Sequence, residues 1–414
     1  MLKHLLVIGA QDRSVAKAAL DADVTLFQVA RLVSQQQIAS ARRTFVFGIE
    51  SLQETLSLAR TVHAYQPFDA VMSYLDAGLL SAAEVAEELS LPGNLRRPVN
   101  LTFDKLAMRN VLREHCIDSV PFRRCDSLAD VGSFLGEIAG PIVLKPACGS
   151  GSLGVSKIDG ESQIKDAFAW AQGAGLTPLI AEAYIDGPEY SVESLTFNGV
   201  HRIVAITEKF TSGSPHFIEV GHRLPALIPE AAKHRIESAV VRLLDVVGHY
   251  AGPAHTELRI NRFGNPVIIE TQTRIGGGQI WEMVEMVCGV DLIRETNARL
   301  LGLPVATTQK KAQAAAIGFL AHQFKTVRSV SGVEHAMMVP GVVRVDCRLQ
   351  PGQRIGALAS AKDRQGYVLA IGETPEAAWQ AVQEALAAIV VEWEEQAPAL
   401  QAATTSGCAG RYGR

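Results

Sequence analysis

Residues 255–260 and 267–274 alternate polar and apolar side chains, the period of half-buried strands, and residues 261–266 between them are rich in Gly, Asn and Pro. The pattern predicts an antiparallel hairpin. Centring its loop between Phe263 and Gly264 sets Ile260 against Val267, Leu258 against Ile269 and Glu257 against Glu270, with one apolar face and one acidic face. Directly opposed side chains lie roughly 5 Å apart at Cβ. Two bare carboxylates about 4 Å apart repel by roughly 4 kcal/mol at an effective dielectric of about 20, so a cation is expected with them. Carboxylate oxygens suit Mg²⁺, which keeps several waters and binds through one or two carboxylates plus substrate phosphates. Phosphate chemistry is therefore the first expectation. The competing reading is a solvated sheet face on which the glutamates pair with Arg259, His255 or Arg274. Gln272 and Arg274 continue the polar face, and Gly276-Gly277-Gly278 then admits close approach of a backbone or ligand, which a merely solvated face does not need.

A chain of 414 residues, 48% of them hydrophobic, can pack two or three domains. A net charge of −4 without any long Lys/Arg block argues against a nucleic-acid partner held through phosphates, and small molecules are the expected ligands. Residues 1–10 carry too short an apolar run for a signal peptide and read as a first strand. No stretch is long and apolar enough to predict a membrane span. The six cysteines, Cys116, Cys125, Cys148, Cys288, Cys347 and Cys408, have no paired spacing, so neither a disulfide framework nor a zinc site is expected and the expected setting is a reducing cytoplasm. Cys148 is expected to be a small packed thiol.

Strand candidates at 5–8, 24–29, 44–48 and 70–74, separated by helical stretches, predict a small α/β unit over residues 1–100. Its first turn, residues 9–14, lacks a G-x-G-x-x-G fingerprint, which weakens a dehydrogenase reading. A new helix opens at Asp104. Strands are expected at 142–145, 152–157, 179–182, 190–197 and 200–207, the last two joined by Asn198-Gly199, a strong hairpin signal. A helix follows Pro225 through about Gly248, and residues 281–296 read as one more helix. Residues 313–395 mix strands at 341–348 and 367–372 with a helix from Pro375, and the tail over 396–414 is expected to be disordered.

After the strand ending at Lys145-Pro146 comes Gly149-Ser150-Gly151-Ser152-Leu153-Gly154, a loop able to turn backbone N–H groups toward an anion, with the lysine as a nearby point charge. The spacing is not that of a Walker A loop. Residues 179–190 run from a strand into a turn where backbone could bond a purine and Glu182 or Glu189 could accept ribose hydroxyls; each acid alone would read as an ordinary surface residue.

Asp104-Lys105 with Met108-Arg109, then Val143-Leu144-Lys145-Pro146, the glycine loop, the stretch from Glu182 to Glu189, and Glu257 with Glu270-Thr271-Gln272-Thr273-Arg274 resemble, in order and spacing, the ATP-grasp superfamily over nearly the whole chain. The resemblance implies an α/β (α+β) ATP-grasp fold: an N-terminal parallel-sheet domain (1–100), a nucleotide-binding and catalytic domain (101–312) and a C-terminal mixed β-rich lobe (313–395). It implies ATP and Mg²⁺ as cofactors, with Mn²⁺ able to substitute. Lys105 and Lys145 would contact the phosphates under the loop of Gly149, Ser150, Gly151, Ser152 and Gly154. Glu182 with the backbone of Ala183, Tyr184 and Ile185 would hold adenine, and Glu189 the ribose. Glu257 and Glu270 would bind metal. Gln272 stands where many members have Asn as a further ligand, and its longer amide can still present an oxygen. Arg274 matches an arginine that stabilises a phosphorylated carboxylate, and a homodimer would accord with the family.

The segment 217–226 and the unit after Gln313 resemble the L-amino-acid ligase branch, which joins amino acids through an acylphosphate. That likeness implies an amino-acid substrate oriented by His222, which could also help take a proton from the attacking amine. It further implies a pocket beside Gly276–Gly278 with room for a sizeable side chain. The closing unit also resembles biotin carboxylase, so a bicarbonate-using carboxylase or purine-pathway enzyme is the alternative, and a nucleotide-binding regulator without turnover is a third reading.

Overall fold

The computed structural model describes residues 2–394, so the expected disordered tail and Cys408 lie outside the described residues. The first sheet is parallel, in the order Arg43–Val46, Asp23–Gln28, His4–Ile8, Ala70–Met72. His4–Ile8 is buried at every position, as expected of a central strand covered on both faces. A small antiparallel sheet follows, ordered Phe122–Cys125, Leu179–Ala183, Ile142–Pro146, Ser156–Ile158. Its core is closed by the helices Leu128–Ile138 and Ile164–Gly173.

The largest sheet has eight antiparallel strands: Pro266–Gln272, Ala251–Ile260, Glu189–Phe197, Val200–Thr211, Glu219–Leu224, Ala314–Leu320, Gly366–Gly372 and Val342–Cys347. Three strands after residue 313 thus extend the same sheet that carries the acidic hairpin, while Arg354–Ile355, Lys325–Ser331 and Val390–Trp393 form a separate three-stranded sheet. Asn198 and Gly199 have φ of 53° and 73°, the paired positive angles a tight two-residue hairpin demands. On one face, the helix Glu230–Val247 packs Ile236, Val240, Leu243 and Leu244 against Val192, Leu258 and Ile268. Another cluster joins Leu5, Val7, Leu26 and Met72 of the parallel sheet to Leu195, Leu224 and Ile317 of the large one, with Trp281, Met283 and Val284 of helix Ile280–Cys288 among them.

Three expectations need correction. The hairpin pairs Ile260 with Pro266 and Leu258 with Ile268, one residue away from the expected partners, because a bulge between Glu257 and Leu258 absorbs Ile269; Glu257 still faces Glu270. The strand expected from residue 152 begins only at Ser156, since Ser152 takes φ of 59° inside the glycine loop. The helix expected over 281–296 is two, Ile280–Cys288 and Leu292–Leu300. Gly289 ends the first in the left-handed conformation, and the Asp291 side chain caps the second by accepting from the amides of Ile293 and Arg294.

Candidate active site

The small sheet and the large sheet face each other across one cavity. Lys145 and Glu182 reach it from the first, while Glu189, Lys209, Glu257 and Glu270 reach it from the second. Lys105, from the first turn of the helix Lys105–Glu114 that Asp104 caps, completes the floor. Gly149, Ser150, Gly151 and Ser152 cover it, with Tyr184 and Ile185 at the side. Of the residues expected to bind nucleotide or metal, Gly154, Ala183 and Gln272 do not line this cavity. Gly154 serves the loop's own packing: at φ of 73°, a Cβ there would stand 3.0 to 3.1 Å from Ala174 and Pro146.

Charge is held here by alternation. Glu182 receives a bidentate clasp from Arg109, Nε to Oε1 at 2.8 Å and Nη2 to Oε2 at 3.1 Å, and the Lys145 ammonium at 2.8 Å. Burial alone would raise its pKa, but the two cations outweigh that and hold it at about 2. Burial lowers the Lys145 pKa even so. The Glu182 carboxylate is thus committed to fixing Lys145, and the amides of Ala183 and Tyr184 already donate to the carbonyls of Pro121 and Pro141. Glu189 takes Arg259 on Oε2 at 3.0 and 3.1 Å and Lys209 on Oε1 at 3.2 Å.

Each of the two opposed acids carries a lysine. Lys105 Nζ lies 2.9 Å from Glu270 Oε2 and donates to the Gly149 carbonyl at 2.8 Å. Burial would depress its pKa, but Glu270 raises it. Lys209 Nζ lies 2.6 Å from Glu257 Oε1. The Glu257 carboxyl is held well below its ordinary range because Lys209 and His255 outweigh burial. His255 bridges Glu193 and Glu257 at 2.6 and 3.1 Å, and these acids push its pKa up to about 9 against the effect of burial. Two facing carboxylates with ammonium groups already beside them form a donor set that fits Mg²⁺ arriving with phosphate. Among the described residues, no group of three or more His, Cys, Asp or Glu has the arrangement of a metal cage. Gln272 donates from Nε2 to Glu270 Oε1 at 3.1 Å, and its oxygen accepts from Arg274 at 2.9 Å, so the oxygen is turned away from the acids.

Beyond Glu270 the polar face continues to Arg274, buried and clasped by Asp76 at 2.7 and 2.8 Å. Asp76 opens the helix Asp76–Glu88 of the N-terminal unit, so a residue 198 positions away aims this guanidinium. Periodicity carries no sign of such a pairing. His222 is fully buried, with neither ring nitrogen hydrogen-bonded: Nε2 is 3.6 Å from Glu219 Oε2, and burial lowers its pKa. The glycine run does not simply leave room for a substrate. A Cβ at Gly276 would meet His255 and Glu193 at 2.8 to 3.0 Å, and one at Gly278 would meet His222 Nε2 at 2.8 Å; open space lies only at Gly277. Lys209, Asp76 and Glu193 escape sequence reading, whereas His255, which alternation sets on the face of Glu257, is among the expected partners of the glutamates and does pair with Glu257.

The loop itself is tethered on both flanks. Ser152 Oγ donates to the Phe217 carbonyl at 3.0 Å, and the Ala361 amide donates to the Gly151 carbonyl at 3.0 Å.

The site holds an acidic hairpin, three lysines and a glycine loop around one cavity between a small and a large antiparallel sheet, and the ATP-grasp domain models that match this chain show that it belongs to the ATP-grasp superfamily. Residues 16–93 match the ATP-grasp N-terminal domain, 138–282 the ATP-grasp domain and 326–394 the L-amino acid ligase C-terminal domain 2. The chain is similar to alanine–anticapsin ligase of Bacillus subtilis, 25% identical over 54% of this chain and 52% of that protein, so the match spans about half of that relative. It is also similar to a formate-dependent phosphoribosylglycinamide formyltransferase of Cupriavidus pinatubonensis, 26% identical over 86% of each. The crystal structure of an L-amino acid ligase from Bacillus licheniformis superposes with a TM-score of 0.80 at 23% identity, covering 95% of this chain and 99% of that one.

Proposed function

We propose that this protein is an ATP-dependent carboxylate–amine ligase that phosphorylates an amino-acid carboxylate and couples it to an amine, in the simplest case a second amino acid, releasing ADP and phosphate. The observation that carries the reading is the convergence of Lys105, Lys145, Glu257, Glu270 and the glycine loop on one cavity, with Arg274 next along the same face. Likeness to L-amino acid ligases in the closing unit and over the whole fold supports the choice of substrate class. In this reading a substrate carboxylate oxygen attacks the γ-phosphorus, the bond to the β,γ-bridging oxygen breaks, and an amine then displaces phosphate from the acylphosphate. Magnesium held by Glu257 and Glu270 would draw charge from the phosphoryl oxygens. Lys105 and Lys145 neutralise charge on the same oxygens, and Arg274 holds the incoming carboxylate in line. The loop over the cavity excludes water that would hydrolyse the intermediate. His222, neutral and without hydrogen bonds beside Glu219, is suited to orient the amino acid or accept a proton from the attacking amine.

The test is ADP release measured with single amino acids and then pairs, in the presence of Mg²⁺, with the product identified by mass. No release above background with any pair sinks the reading. The formyltransferase likeness favours a second reading, in which formate or bicarbonate takes the place of the amino-acid carboxylate; ATP turnover stimulated by either anion and indifferent to amino acids would select it. Glu270→Gln separates a catalyst from a nucleotide sensor, since a catalyst loses turnover by more than about 100-fold, whereas a sensor keeps ATP-dependent behaviour with weaker binding.

A further inference from the structure

Lys209 is the most heavily engaged cation in the cavity. Its side chain is 1% exposed, and its Nζ lies 3.2 Å from Glu189, 2.9 Å from Glu219 and 2.6 Å from Glu257. An ammonium has three protons to donate, so three carboxylates saturate it. Those carboxylates come from three separate strands of the large sheet, and Lys209 sits on the strand Val200–Thr211 between two of them. By the family resemblance Glu189 faces the ribose, on the proposed reading Glu257 faces the metal, and Glu219 lies 3.6 Å from His222, the residue suited to orient the amino acid. One ammonium is shared by all three acids. Across the cavity, Lys105 does for Glu270 what Lys209 does for Glu257.

We propose that Lys209 is the internal counter-ion that occupies Glu257 until nucleotide arrives, so that divalent metal binds this protein together with ATP and not before it. The inference rests on the ligase reading only for placing the metal between Glu257 and Glu270. The charges explain the dependence. Lys105, Lys209, Glu257 and Glu270 sum to zero as they stand. A dication entering alone must displace an ammonium from a carboxylate, and it leaves surplus positive charge in a cavity where burial makes such charge expensive. A triphosphate brings several negative charges and gives the displaced ammonium groups new oxygens to bind. Metal and nucleotide then bind cooperatively, each paying for the other's rearrangement. Lys209 keeps Glu189 and Glu219 when it gives up Glu257, so the ribose contact and the surroundings of His222 are biased by the same event.

The probe is Mn²⁺, followed by the loss of the free-ion paramagnetic resonance signal on adding the full chain without nucleotide. Wild type is expected to bind Mn²⁺ weakly alone and at least about tenfold more tightly with a non-hydrolysable ATP analogue, a factor equal to about 1.4 kcal/mol of coupling. Lys209→Met, of similar length, is expected to bind Mn²⁺ without nucleotide at least tenfold more tightly than wild type, and Lys209→Arg to behave as wild type. Adding Glu257→Gln to Lys209→Met should abolish the gain. Because Lys209→Met removes the cation these half-buried acids share and leaves Glu189 to Arg259, Glu257 to His255 and Glu219 to Arg364, Lys209→Met with Glu219→Gln is the second variant, and it should show the same gain if the single variant does not fold. Tight Mn²⁺ binding by wild type without nucleotide would overturn the proposal. So would a folded Lys209→Met, or the double variant, that binds no better than wild type while still binding Mn²⁺ with the analogue. No amino acid enters these titrations, so a failed amino-acid screen would remove the ligase reading and leave this result intact.

Discussion

Glu182 shows how a residue legible in sequence can take a task the sequence does not announce. The family resemblance set it beside adenine, and the structure adds that its oxygens are taken by Arg109 and Lys145, so that it holds a lysine in place. Its pKa of about 2 lies below the ordinary 4.5, and a depressed carboxyl adds stability that is present above the unfolded value and is lost as pH falls through the folded one. Unfolding free energy from denaturant titrations should therefore drop by about 3 kcal/mol between about pH 4.5 and pH 2. Glu182→Gln should remove that part of the slope and cost about 3–5 kcal/mol at neutral pH, because Lys145 is left buried and unpaired. Coincident pH slopes for the two proteins would refute the assignment. Arg274 was equally legible, but Asp76 was not, since side-chain pairing across 198 residues has no periodic signal. Asp76→Asn should cut kcat about 100-fold through misaimed Arg274 while the KM for ATP stays within about twofold; an equal fall in ATP affinity would place Asp76 in nucleotide binding instead.

At the scale of the element, the hairpin was readable because alternation and a Gly/Asn loop are local, and its acids face each other as the pattern required. The bulge at Ile269 was not, because an extra residue changes partners on one side of the irregularity without changing composition. The split of 281–296 into two helices was signalled by Gly289 followed by Asp291, a stop and a cap that hydrophobic periodicity overrode. The turn after the strand Leu179–Ala183 offers a direct test. Gly187 has φ of 127°, and a Cβ there would stand 1.9 Å from the Ile260 carbonyl oxygen at the end of the acidic strand. Gly187→Ala should cost at least about 2 kcal/mol in the denaturant midpoint. Because the turn would shift away from the hairpin, the KM for ATP should rise as well; unchanged stability would show that the turn can move freely.

Across the whole molecule, the pattern of strands and helices divides the sequence into three stretches but carries no sign of how they join. Three strands from beyond residue 313, Ala314–Leu320, Val342–Cys347 and Gly366–Gly372, complete the eight-stranded sheet, and the parallel sheet shares a core with it around Trp281 and Met283. A chain beginning at residue 101 would expose that core and lose Asp76, so it should be poorly soluble, bind a hydrophobic dye strongly and lack turnover; a soluble, cooperatively unfolding fragment would argue that the shared core is dispensable. The two tethers of the glycine loop belong to this scale too, since Ser152 is tied to the turn before Glu219 and Gly151 to the segment near Ser360. Each is a single hydrogen bond worth on the order of 1 kcal/mol, small against the stability of any core. On the proposed reading, this cover, held by these bonds and by Lys105 on the Gly149 carbonyl, can therefore lift to let spent nucleotide leave while the sheets beneath it stay folded.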